Sequence, residues 1–238
     1  MKKYILPFLA ATLFLTASHA QDADSLKIRP VTFGVLLQAN FSGEYMYIDK
    51  GDFDGSGLTA YPGFGVELGG FLDYHITRKL AVEVQAVAGL QNGTYVATDK
   101  DLGFLFWQKR PTSYLADMRL VGLDIPIFLK YAVPAGSGHF NFGAGLFTHI
   151  TFDAWSPSDR SFETPYKRVI STDDVTGKKR YALSDGHAGL AFLIGYEFAP
   201  GLQINLSGKY SVIDIINFES EKSYAHPYKL SMGIGWHF

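Results

Sequence analysis

Apolar and polar positions alternate with a period of two through most of the chain, most plainly over 120–148. From Leu123 the odd positions read Leu123, Ile125, Ile127, Leu129 and Tyr131, against Asp124, Pro126, Phe128 and Lys130 on the even ones. After a Pro/Gly/Ser break at 133–138, Phe140, Phe142, Ala144, Leu146 and Thr148 share one face, with Asn141, Gly143, Gly145 and Phe147 on the other. Successive strand side chains point to opposite faces, so this spacing predicts a hairpin of two strands and a tight turn. A sheet face that meets water carries Lys, Glu, Thr and Ser. Here the non-apolar face is glycine-rich with a few charges, which suits a crowded lumen, and the unbroken apolar row suits lipid. A hairpin against hydrocarbon needs every backbone group paired, which requires a closed barrel.

The rest of the chain repeats the pattern. Outward rows are predicted at Val31, Phe33, Val35, Leu37, Ala39 and Phe41; at Phe64, Val66, Leu68, Leu72 and Tyr74; and on the even positions of 80–90. Further rows occupy the even positions of 188–198, 202–212 and 228–238. With the central hairpin this predicts an all-β, eight-stranded antiparallel up-and-down transmembrane β-barrel. Long connections at about 43–62, 92–117, 153–184 and 216–227 alternate with short turns. Bacterial barrels keep short turns in the periplasm, so both termini are expected there. Tyr74, Tyr131, Tyr196 and Trp236 fall near one end of the strands and Tyr61, Trp155, Tyr181 and Tyr228 near the other, as two interfacial girdles would. Pro126 lies in mid-strand, where it removes a ladder bond, and a local bulge is expected there.

Composition fits an exported membrane protein. Residues 1–20 read as a signal peptide: Lys2 and Lys3, an apolar stretch, then Ser18-His19-Ala20 before the cleavage site. Residues 21–30 read as a periplasmic lead-in and 31–238 as the barrel. Without the signal, 19 basic residues stand against 23 acidic ones, a formal charge of −4, which leaves no basic footprint for nucleic acid. The chain has no cysteine, so neither a lipoprotein anchor nor a disulfide is possible. No stretch after residue 20 is apolar for long enough to be a spanning helix, whereas aromatics make up 15% and glycines number 25. The soluble alternative of similar topology is a lipocalin.

The charges expected to face inward are Glu67, Asp73, Glu83, Asp124, Lys130, Glu197, Lys209 and Lys229. An eight-stranded barrel is just wide enough for side chains to fill, so these are expected to pair as a structural plug. A gated ion or proton path is the alternative. His149 and His187, with Asp185 nearby, are also inward near the long-loop rim; a base role is conceivable, but no serine-centred motif accompanies them and no catalytic residue is assigned. The segment 49–57 has acids at metal-like intervals without the closing glutamate of a calcium loop, so no metal and no cofactor are expected. Phe104, Phe106, Trp107 and Arg110 in the second long loop could contact a partner or lipopolysaccharide, or simply be the upper girdle on strands that extend further. The third loop has the look of an extracellular hairpin around 173–177, with Lys167 and Arg168 able to meet lipid phosphates.

The segment Leu123-Asp-Ile-Pro-Ile-Phe-Leu-Lys-Tyr131, the strand Phe142-Gly-Ala-Gly-Leu146, Lys209-Tyr210-Ser211 and the ending Gly233-Ile-Gly-Trp-His-Phe238 carry a family likeness. On them the chain resembles the small eight-stranded outer-membrane barrels of the Bacteroidota, the OmpA/OmpX-type group that includes PorT-like proteins. The resemblance implies an outer-membrane location, recognition of the terminal strand ending in Phe238 by barrel-insertion machinery, and an association with secretion or gliding. The expected role is that of a non-enzymatic, monomeric structural or interaction protein acting through its loops on lipopolysaccharide or an envelope partner. A narrow pore for small solutes, or less readily a lipid-modifying enzyme, are the alternatives.

Overall fold

The computed structural model describes residues 30–48, 57–98, 113–155, 169–172, 179–181, 183–199, 201–215 and 223–238. Eight strands form the wall: β1 (Val31–Ile48), β2 (Gly57–His75), β3 (Leu80–Thr98), β4 (Ser113–Ala135), β5 (Gly138–Trp155), β8 (Gly186–Glu197), β9 (Leu202–Ser211) and β10 (Tyr224–His237). Two short strands, β6 (Val169–Thr172) and β7 (Lys179–Tyr181), form a separate hairpin inside the β5–β8 connection, where the sequence predicted one. The wall closes in the order β1-β10-β9-β8-β5-β4-β3-β2 with every neighbour antiparallel, so the predicted eight-stranded up-and-down barrel is the observed fold. Closure joins Gly34 to His237 and Tyr47 to Tyr224. The signal segment and the lead-in up to residue 29 lie outside the described residues. Pro30 is included, and its carbonyl accepts the His75 N–H at 2.8 Å.

Side chains are arranged inside out. The outward face carries the large apolar groups, with Phe64 74%, Leu68 65% and Met232 63% exposed, while the lumen holds the charges and amides. On β3 the outward row is apolar from Leu80 to Leu90 and turns polar at Asn92 and Thr94; on β4 it is apolar from Tyr131 to Val121 and turns polar at Arg119 and Asp117. Ten strand steps at a barrel tilt make a band about 25 Å tall. A water-soluble barrel would have this face polar.

Two expectations about the wall need correction. Strands β1, β3, β4 and β10 run further toward the long loops than the alternation predicted, to Ile48 and Thr98 and from Ser113 and Tyr224. Above the apolar band the outward face turns polar while the inner face buries Met118, Ala154 and Ala225, so the outward apolar row ends while the backbone ladder continues. The second correction concerns Pro126, where no bulge occurs. Ile127 pairs with Val84 and Asp124 with Val87 in one continuous register, and two pairs between them are absent from the ladder with β3. Proline has no N–H to donate, and the neighbouring pairs hold the strand straight. The register shift sits instead between Val121 and Gly122, opposite an additional residue of β5.

Some lumen-side positions tolerate no side chain. At Gly145 a Cβ would fall against the Ile127 carbonyl and the Phe128 Cα of β4. We expect Gly145→Ala to cost about 1–3 kcal/mol, the range for overpacking a close-packed interior, read as a lower urea midpoint for the barrel refolded in lipid vesicles.

Candidate functional site

The lumen carries the chemistry, in two ionic layers separated by packed side chains. Near the short-turn end, Asp73 of β2 and Glu83 of β3 are direct register partners, an unfavourable juxtaposition for two carboxylates. Lys130 resolves it: its Nζ donates to Asp73 Oδ2 at 2.6 Å and to Glu83 Oε2 at 2.7 Å. Gln85 Nε2 donates to the other Glu83 oxygen at 2.6 Å. His237 lies between two acids, with Nε2 2.9 Å from Asp73 Oδ2 and Nδ1 2.9 Å from Glu197 Oε1, and His139 Nε2 is 3.2 Å from Glu197 Oε2. The hydrogen bond of the ring goes to Asp73 through Nε2, while Nδ1 stands within ion-pair distance of Glu197.

The layer near the long-loop end is the converse. Lys209 and Lys229 are register partners on β9 and β10, two cations side by side. Asp124 Oδ2 accepts from both, at 2.7 and 2.6 Å, and Glu67 Oε1 takes a further bond from Lys229 at 2.5 Å, with Ser231 donating to its other oxygen at 3.3 Å. The second Asp124 oxygen lies 2.6 Å from His149 Nδ1, and His149 Nε2 lies 3.1 Å from the Thr151 hydroxyl. The His187 ring stacks on that of His149 with centroids 4.7 Å apart. All of these carboxylates and ammonium groups are buried except Glu197, which is half-buried. Charges removed from water survive only when paired and hydrogen-bonded, and both layers meet that demand by placing counter-charges across the lumen.

Apolar groups fill much of the cross-section between the layers. Phe128, Phe147, Ala191 and Leu193 pack together on the β4–β5–β8 side, and Leu36, Phe71 and Val87 on the β1–β2–β3 side. Among the described residues these side chains are almost fully buried, with Phe128 at 0% and Leu36 and Val87 at 1% exposure. Two cavities lie beyond it. One of about 170 Å³ at the short-turn end is bordered by Glu197, His237, His139 and Lys130. A smaller one of about 40 Å³ at the long-loop end reaches Lys209, Lys229 and His149.

The seven charged residues singled out as a lumen network, Glu67, Asp73, Glu83, Lys130, Glu197, Lys209 and Lys229, all line the interior. They form two groups instead of one, and Glu197 pairs with histidines. Sequence reasoning left His139 and His237 out of the network; their strand parity, the same as that of Asn141 and Gly235, was the available signal. His149 has both nitrogens engaged within the loop-end layer, and Asp185 meets Thr151 through its backbone carbonyl at 2.6 Å. That arrangement is a structural link. Phe104, Phe106, Trp107, Arg110, Lys167 and Arg168, and the acidic segment 49–56, lie outside the described residues.

No protein-family model matches the chain, and no curated protein sequence matches it. Among solved structures it is similar to the outer membrane protein OprG from Pseudomonas aeruginosa, with a TM-score of 0.51 and 17% identity over 86% of this chain and 95% of that one. Neisserial surface protein A matches with a TM-score of 0.42 and 16% identity, covering 87% of this chain and 97% of that one. At such identities the likeness is one of fold. The chain therefore has the fold of the small eight-stranded outer-membrane β-barrels, with its interior closed by two buried ionic layers.

Proposed function

We propose that this protein resides in the outer membrane with both termini in the periplasm, and that it is a structural or interaction component acting through its extracellular loops. The observation that carries this reading is the closed lumen: the Asp73–Lys130–Glu83 and Glu67–Lys229–Asp124–Lys209 groups stand above and below a layer containing Phe128 and Phe71. A barrel whose interior is spent on its own charges has its walls and loops left for recognition. The exposed band that includes Phe64, Leu68 and Met232 is the face that lipid would cover. At the closing seam, Phe238 donates its N–H to Phe33 at 2.9 Å and its ring packs 5.5 Å from Phe33, which supports a role for the final strand as the feature read by insertion machinery. On the resemblance to PorT-like barrels, the assembly it joins belongs to secretion or the envelope, and lipopolysaccharide is its lipid neighbour. The reading assigns it no enzymatic step.

Purifying the tagged protein in mild detergent from its native outer membrane, followed by mass spectrometry, is the test. A stoichiometric companion lost on replacing the tips of the second and third long loops is the expected outcome. A barrel recovered alone at every detergent strength tried would overturn the assembly reading.

A further inference from the structure

The inner surface is divided lengthwise as well as in layers. Strand β9 presents Gln203, Asn205, Ser207 and Lys209 in succession to the lumen, a polar face from one end to the other. Its neighbour β10 presents His237, Gly235, Gly233, Ser231 and Lys229. Three glycines leave room that amides enter: Gln203 leans over Gly235, Gln38 of β1 leans over Gly233, and Asn205 leans over Gly195 of β8. These side chains are almost wholly inaccessible, Gln38, Gln203 and Ser207 at 1% and Asn205 at 2% exposure. Yet Gln38 Nε2 and Oε1, Asn205 Nδ2 and Oδ1, Gln203 Nε2 and Ser207 Oγ meet no hydrogen-bond partner among the described protein groups. Six buried orphans along one seam are more than a folded protein sustains, and buried waters are the usual partners of such groups.

The seam also runs between the two cavities. Gln203 pairs in register with Glu197, which borders the cavity at the short-turn end, and Lys209 and Lys229 border the one at the long-loop end. From Gln203 to Lys209 is about 20 Å along the strand, and successive inward side chains are about 7 Å apart, a gap one or two waters bridge. On the opposite wall Phe128, Phe147 and Leu193 pack together as a buried apolar cluster.

We infer that β1, β9 and β10 enclose a file of water that passes protons through the barrel while the apolar half and the two ionic layers exclude solutes and hydrated ions. A proton entering at the Glu197–His237 end moves by exchange along hydrogen-bonded water, with one proton leaving at the Lys209–Lys229 end for each that enters, so no net protonation of the wall is required. Lys130 holds Asp73 and Glu83, Lys209 and Lys229 hold Asp124 and Glu67, and Glu197 lies between His139 and His237.

The test is proton uptake by liposomes containing the refolded protein and a trapped pH dye, with potassium and valinomycin to dissipate the charge. The expected result is uptake severalfold faster than in protein-free vesicles, slowed in D2O, with trapped carboxyfluorescein retained. The double variant Gln203→Leu/Asn205→Leu is expected to return uptake to the protein-free level; uptake unchanged in that variant, or absent in the wild type, overturns the proposal. Should the variant fail to refold, the wild-type protein decides: the side-chain amide protons of Gln203 and Asn205 are expected to exchange with solvent within seconds by NMR, and protection for hours would refute a wet seam.

Discussion

Asp124→Asn is expected to lower the unfolding free energy of the barrel by about 3–5 kcal/mol, because it removes the negative charge shared by two buried ammonium groups. In the native lumen one Asp124 oxygen takes bonds from both Lys209 and Lys229, while the other holds His149. After the substitution Lys229 retains Glu67, but Lys209 keeps only the same carboxylate at 4.0 Å. One negative charge then faces two register-paired cations in a space without bulk water. Asparagine preserves the shape, so the loss reports charge rather than a cavity. Urea titration of the protein in lipid vesicles, followed by tryptophan fluorescence, gives the difference. A change under about 1 kcal/mol, the size of an exposed pair, would mean that water reaches these groups freely. Adding Lys209→Met to Asp124→Asn should restore part of the loss, since the surplus cation goes with it.

Lys130→Met is the counterpart in the other layer, with a similar expected loss of about 3–5 kcal/mol. Here the stranded groups are carboxylates. Asp73 and Glu83 stand opposite each other, and Lys130 is what separates them electrostatically, leaving His237 near Asp73 and Gln85 near Glu83 as remaining donors. The two layers share no partner and are separated by Phe128 and its neighbours. Asp124→Asn and Lys130→Met should therefore add to within about 0.5 kcal/mol, as independent sites do. A strong non-additive term would show that the layers form one network through the seam.

Much of this interior was legible from parity alone. Strand geometry forces alternate residues to opposite faces, so once one face was known to be apolar, Glu67, Asp73, Glu83, Lys130, Lys209 and Lys229 had to point inward. Which charge meets which was not legible. Contacts such as Lys229 with Glu67 and with Asp124 depend on the stagger of strands around the whole barrel, and no local pattern encodes that. Parity placed His237 inward as well, but not its partners, since its two acids come from β2 and β8. Pro126 misled in the other direction: the rule against mid-strand proline concerns a single lost bond, and the register on either side of it outweighs that bond. The strand ends were missed because hydrophobic alternation reports the height of the apolar band, whereas β3 and β4 stay paired to Thr98 and Ser113 beyond it.

The closing pair of strands bears on the order in which the barrel can be assembled. Gly34 waits for His237, and Glu67 is matched only when Lys229, 162 residues further along the chain, has arrived. Contacts of such long range form slowly. Until the final strand has docked, the wall is open at β1 and Lys229 is absent from beside Glu67 and Asp124. Closing the wall and completing the loop-end ionic layer are thus one event, brought about by the same strand.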